Sequence, residues 1–186
     1  MNARVAVVFG QFGQVADPVN LPTFEQRLQK AGAETILVQH TDSQSVYNFL
    51  YGFAGFVGIV GASLGAGAAP IFAGYLKPAK VHFVGGFQPS DWDPVMHEVS
   101  IQNGTDLITR AVDVPATVLN ALCFRNPVVA TTAGLGHATY VLAPGNTTTK
   151  LSVIERTDAH PGDFGIAQDT MFVHVMALIQ EQAGQS

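Results

Sequence analysis

Apolar positions along the chain change period from segment to segment, and each period predicts an element. Val5–Phe9 is a continuous apolar run closed by Gly10, the pattern of a strand buried on both faces. The stretch from Gln11 to Asn20 reads as loop. Thr23-Phe-Glu-Gln26 then has the spacing of a capping box, with Phe24, Leu28 and Ala31 on one helical face and Gly32 as the stop. Thr35–Val38 predicts a second strand, Ser45–Tyr51 a short helix and Phe56–Val60 a third strand. A turn over Gly61–Gly65 leads into a helix over Ala66–Leu76, whose small side chains let it press close to a sheet. Val81–Val84 predicts the fourth strand, followed by a loop, Gly85–Pro94, that holds Trp92 and two aspartates. Residues 95–114 show no clear period and read as an irregular excursion. Pro115–Phe124 suits a helix with proline in its first turn. Asn126–Thr149, rich in Thr, Gly and Pro, reads as loop with room for one short strand. Lys150–Glu155 alternates like a last strand. Asp169 stands as the cap of a final helix, with Phe172, Val175, Met176 and Ile179 at i, i+3, i+4 and i+7. Strands alternating with helices predict a mostly parallel sheet covered on both faces, a three-layer α/β/α sandwich of the α/β class, in one domain over residues 1–186.

Composition narrows the function. In 186 residues, 47% are apolar and only 12% charged, which excludes a disordered chain, and the length suffices to bury a core without disulfides or a structural metal. The net charge is −5 and no Lys/Arg block occurs, so nucleic acid and anionic membranes are not the expected partners. The single cysteine, Cys123, excludes an internal disulfide framework and a cysteine-based zinc site and fits a reducing compartment. The apolar run near the start is too short for a signal peptide. Glycines, Ser63 and Pro70 interrupt the apolar-rich stretch Phe53–Leu76, so it reads as strand, turn and helix rather than an integral membrane segment. The expectation is a soluble, cytoplasmic globular domain.

The chemistry concentrates at Gly61-Ala-Ser-Leu-Gly65, a G-x-S-x-G sequence between an apolar strand and a helix. A strand that turns sharply into a helix forces the serine into an unfavourable backbone conformation, and the residues two positions away must be small to let the chain pass. The hydroxyl then projects above the sheet, and the Leu64 amide at the helix start is aimed at a developing oxyanion. A plain Gly-rich turn that packs a helix tightly would need the same glycines. A Walker loop needs Gly-Lys-Ser/Thr, and no lysine follows these glycines before Lys77. A dinucleotide fingerprint asks for an acidic residue at the end of the next strand, where Gly85-Gly86 stands.

With Val8-Phe-Gly-Gln-Phe-Gly13 upstream, this strand–elbow–helix and a late His-bearing loop, the chain resembles the α/β-hydrolase family, in its small lipase- and esterase-like branch without a cap domain. Two positions depart from the family's usual pattern: Ala62 before the serine, where lipases often have histidine, and Gly-Gln-Phe-Gly in place of a His-Gly loop. The resemblance implies a minimal α/β-hydrolase fold and a Ser-His-Asp triad in the chain order serine, acid, histidine. His160, in Thr157-Asp-Ala-His-Pro-Gly-Asp163 after the last strand, stands where the family has its base, and His137 in Gly-Leu-Gly-His-Ala is the second choice. His40 and His82 belong to or border strands before the acid position, and His174 lies inside the last helix. Asp93, in Asp91-Trp-Asp-Pro94, is the first choice for the acid, followed by Asp91, with Asp113 at the later position other members use. Asp-Pro is equally a turn starter. The Gln11 and Phe12 amides, facing the elbow from the loop after the first strand, are candidates for the second oxyanion donor beside Leu64. Phe12, Trp92 and Phe164, together with Phe53 and Phe87, fall near predicted loop ends and are candidates for an apolar acyl pocket or simply for core.

These residues imply a serine hydrolase acting on a small-molecule or lipid-like acyl ester through an acyl-enzyme. Two other readings use the same residues: a hydrolase-like binding or assembly domain without catalysis, and an acyltransferase with an acceptor other than water. No H-x-x-x-H or H-E-x-x-H occurs, so no metal and no cofactor is expected. Oligomeric state is not written in the pattern.

Overall fold

A computed structural model describes residues 1–10, 20–77, 79–87, 111–125, 139–155 and 165–184. In chain order these form β1 (Ala3–Phe9), α1 (Asn20–Lys30), β2 (Glu34–Gln39), α2 (Ser43–Leu50), β3 (Phe56–Ala62), α3 (Leu64–Tyr75), β4 (Val81–Phe87), β5 (Ala111–Val114), β6 (Val118–Arg125), β7 (Thr139–Leu142), β8 (Lys150–Glu155) and α4 (Gly165–Gly184). Six strands make one parallel sheet in the order β2-β1-β3-β4-β6-β8, and β5 and β7 pair in parallel as a small second sheet.

The central strands β1, β3 and β4 are apolar on both faces because both faces are covered. On one, Val46 and Leu50 of α2, Ala68, Ala69 and Phe72 of α3, and Val112, Val114 and Tyr140 of the small sheet pack against Ala6, Val8, Ile59, Val84 and Cys123. On the other, Leu21, Phe24 and Leu28 of α1 and Met171, Val175 and Ile179 of α4 pack against Val5, Val7, Val60, Phe83 and Phe124. Arg27 ties α1 to α4 through a 2.6 Å ion pair with Asp169 and a guanidinium placed 4.3 Å from the Phe172 ring centroid.

Several local expectations change. The helix predicted at Pro115–Phe124 is a strand, β6: a continuous apolar run has no period of its own, and here it fills the slot between β4 and β8 and is buried on both sides. β4 continues through Phe87, past Gly85, where a loop was predicted to begin. Gly85 and Gly86 are strand residues without side chains because a Cβ would lie 2.7 Å from the Met171 sulfur and 2.3 Å from the Tyr140 hydroxyl, respectively. The excursion predicted over 95–114 ends in a strand, β5. Thr23 lies within α1, which starts at Asn20, and Asp169 lies within α4, which starts at Gly165, so neither caps its helix. Asp42 caps α2 instead, accepting from the Ser45 amide at 3.0 Å. Gly32 does end α1: at φ +91° it closes a Schellman turn, with Gly32 N–H donating to Gln29 and Ala33 N–H to Leu28.

Candidate active site

In the order β2-β1-β3, the chain leaves β1 toward one edge and returns to build β3 on the other side. The carboxyl ends of β1 and β3 therefore flank a topological switch point, where open α/β sheets place their ligands. Gly10 follows β1 at this crevice and Ser63 follows β3.

Ser63 is the only non-glycine residue among the described ones with positive φ, at φ 54° and ψ −123°. It is exposed, although β3 before it and Gly65–Pro70 after it are buried. Its backbone is fixed on both sides: the Ser63 amide donates to the Phe87 carbonyl at 2.9 Å, and the Ser63 carbonyl accepts the first helical bond from Gly67 at 3.1 Å. Its side chain makes no capping bond to the amides of α3, so the hydroxyl is not spent on closing the helix.

The glycines show what holds this conformation. A Cβ on Gly61 would lie 2.2 Å from the Gly65 carbonyl oxygen, and one on Gly65 would lie 2.1 Å from the Val8 carbonyl oxygen. Backbone is thus in contact with backbone on both flanks of the serine, and neither contact can yield. A Cβ on Gly10 would stand 3.1 Å from Ser63 Cβ and 3.4 Å from its Oγ, which puts the end of β1 directly beside the hydroxyl. The half-buried Leu64 opens α3, where the first amides have no partner within the helix and the macrodipole is positive.

The helix carrying the elbow has an unusual support. Pro70, inside α3, has no N–H to give the Ala66 carbonyl one turn earlier. The Tyr140 hydroxyl, on a fully buried side chain of β7, donates to that carbonyl at 2.6 Å. Tyr140 and Pro70 are therefore two halves of one arrangement, and Gly86 makes room for the phenol.

Of the residues singled out from the sequence, Ser63 and Leu64 lie in the described structure as a strained turn and the start of a helix. His160, His137, Asp93, Asp91, Gln11, Phe12, Trp92 and Phe164 lie outside the described residues. Asp113 is exposed on β5 of the small sheet rather than at the carboxyl edge of the large one. Phe53 is not near the site: it precedes the amino end of β3, and its ring lies 4.4 Å from the Arg4 guanidinium. Phe87 is core, stacked on Phe124 at 5.8 Å and edge-on to Phe24 at 6.1 Å. Cys123 is buried and its thiol is pushed up to about 12 by that burial, so it stays protonated and unreactive at neutral pH. No group of three or more His, Cys, Asp or Glu side chains able to hold a metal occurs among the described residues.

Sequence reasoning missed His40. It is buried, 6% exposed, just past β2; its backbone N–H donates to the Phe9 carbonyl at 3.0 Å, and desolvation lowers its pKa below the usual histidine value. The parallel alignment of the first two strands is the signal that could have found it.

The parallel sheet order, the helices on both faces and the strand–serine–helix turn together define an α/β-hydrolase fold. Solved structures that share it include the following two. Est1E from Butyrivibrio proteoclasticus matches with a TM-score of 0.55 at 12% identity, over 96% of this chain and 88% of that one. The ydeN gene product from B. subtilis matches with a TM-score of 0.53 at 12% identity, over 96% of this chain and 99% of that one. No protein-family model and no curated protein sequence matches the chain. No helix among the described residues is long and apolar enough to cross a membrane.

Proposed function

We propose that the protein is a serine hydrolase that cleaves a carboxylic ester through an acyl-enzyme. The observation that carries this reading is the backbone of Ser63, a non-glycine residue at φ 54° on a strand-to-helix turn, locked by Gly61 and Gly65 against backbone on both sides. Strain of this kind costs about 1–3 kcal/mol and persists only where the surroundings over-determine it. The likeness to Est1E and the ydeN product supports the same class at the level of fold.

In this reading Ser63 Oγ attacks the acyl carbonyl and His160 takes its proton, with Asp93 orienting the imidazole. The amides of Leu64 and Gln11 receive the oxyanion, and the alcohol leaves with the proton returned by His160. Water, activated by the same histidine, then releases the acid. The substrate is a small-molecule or lipid-like acyl ester, and no cofactor takes part.

The test is intact-mass labelling with a fluorophosphonate. Stoichiometric phosphonylation of the wild-type protein, abolished in Ser63→Ala, is the expected result, and an ester screen follows from it. A folded wild-type protein that stays unlabelled would overturn the reading in favour of a binding domain built on the hydrolase fold.

A further inference from the structure

The β3–β4 register sets Gly61 opposite Gly86 and Ala62 opposite Phe87, so two residues without side chains lie abreast just before the serine turn. Each leaves room for something above it. A Cβ on Gly61 would meet the Gly65 and Ala66 backbone, and one on Gly86 would meet the Tyr140 ring and hydroxyl. The first turn of α3 and the Tyr140 phenol rest side by side on this bare floor, and they join where the hydroxyl donates to the Ala66 carbonyl at 2.6 Å. Tyr140 is 1% exposed, and its strand β7 belongs to the small sheet. Ser63 lies between the same two elements. Its N–H donates to Phe87, the residue after Gly86, and its carbonyl accepts from Gly67, the residue after Ala66.

We infer that Tyr140 is a positioning residue: its hydroxyl holds the first turn of α3 against the end of β4 and thereby sets where Ser63 Oγ and the Leu64 amide stand. This inference rests on the serine-hydrolase reading of the site. Ser63 bridges β4 and α3 through one backbone bond to each, so any rotation of the helix start against the strand end passes through its own φ and ψ. At φ 54° a serine stays put only while both anchors are fixed. An uninterrupted helix would satisfy the Ala66 carbonyl from its own next turn, and that bond would tie α3 only to itself. Pro70 removes the internal donor, and the phenol replaces it from β7 across Gly86. The helix start is thus bonded to the layer that lies on β4, one residue short of the Phe87 carbonyl that holds the Ser63 amide. Tyr140 does this from inside the core, without touching a substrate.

The experiment compares wild type, Tyr140→Phe, Pro70→Ala and the double variant. Fluorophosphonate labelling of Ser63 over a range of probe concentrations separates KI from kinact, with Tm measured alongside. A misplacement of about 1 Å costs on the order of a hundredfold in rate, so a loosened turn should lower kinact about tenfold in Tyr140→Phe, with KI little changed. In the double variant the restored N–H at position 70 serves the Ala66 carbonyl but makes no tie to β7. Relative to Pro70→Ala, that variant should lose less Tm than Tyr140→Phe loses from wild type, and as much kinact. A bond that only satisfied the carbonyl would cost no kinact there. The same comparison carries the test should Tyr140→Phe alone fail to fold. Unchanged kinact in folded Tyr140→Phe, or kinact that recovers together with Tm in the double variant, would overturn the inference. A wild-type protein that does not label overturns the hydrolase reading instead. Hydrogen exchange of the Ser63 amide then judges the tie: faster exchange in Tyr140→Phe and in the double variant upholds it, and exchange at the wild-type rate in either overturns it.

Discussion

At the scale of single residues, the site is a balance between one strained residue and the small ones that hold it. Ser63 at φ 54° would relax if the chain around it could move, and Gly61 and Gly65 prevent that by bringing α3 to within backbone contact of β3 and β1. The obstructing atoms are carbonyls of the sheet and helix, not flexible side-chain ends. Gly65→Ala should therefore destabilise the protein by about 3 kcal/mol, at the upper end of overpacking costs, as read by urea denaturation. Fluorophosphonate labelling of the folded fraction should fall with it, because a shifted α3 carries the Leu64 amide away from the hydroxyl. A neutral effect on both would show the turn to be looser than its contacts imply. The five-residue motif was legible in the sequence, since it needs only a strand before it and a helix after it. His40 was not, because nothing in the residues near it in the chain announces that it will bond to Phe9.

At the scale of elements, α3 shows how a helix can carry a residue that its own hydrogen bonding forbids. Pro70 leaves the Ala66 carbonyl without its helical donor, and the Tyr140 hydroxyl replaces that donor from β7, seventy-four residues later in the chain. Tyr140→Phe should cost about 1–3 kcal/mol, the penalty of a buried unsatisfied carbonyl. In a Pro70→Ala background, where the helix supplies its own N–H, the same change should cost about 1 kcal/mol less. Additive effects in that double-mutant cycle would refute the linkage. Elements were legible where a period or a cap was present: the strand at Lys150–Glu155 has its predicted limits, and Gly32 ends α1 as expected. They were misread where the chain was uniformly apolar. Val118–Arg125 has no period that separates a buried strand from a buried helix, and Gly85 and Gly86 look like turn residues until Met171 and Tyr140 occupy the space above them.

At the scale of the whole molecule, three histidines make stability depend on pH. Burial lowers the pKa of His40, His82 and His174 below the ordinary value of 6.5. For His82 the geometry agrees: Nδ1 accepts the Val57 amide at 3.1 Å, which only the deprotonated nitrogen can do. The unfolded chain thus binds protons that the folded one refuses as the pH drops through about 6.5, so stability is full above that value and lost below it. Tm should fall between pH 7.5 and 5, and the fall should shrink in His174→Leu. A Tm that is flat or rises over that range would contradict the shifts. The sign is independent of catalysis, where the proposed base must also be neutral, so activity and stability decline toward acid for separate reasons.

The sequence by itself determined the class of the fold and the place of the strained serine turn, because both are carried by short-range patterns. Continuous apolar runs alternate with amphipathic ones, and a small–Ser–small turn joins a strand to a helix. Tertiary structure decided what depends on residues meeting from distant parts of the chain. It made Val118–Arg125 a strand because a slot in the sheet was open to it, satisfied the Pro70 gap from Tyr140, and set His40 against the end of β1 by strand register. Local periodicity records only which side of an element is buried. What it is buried against follows from the order in which parallel strands are laid down.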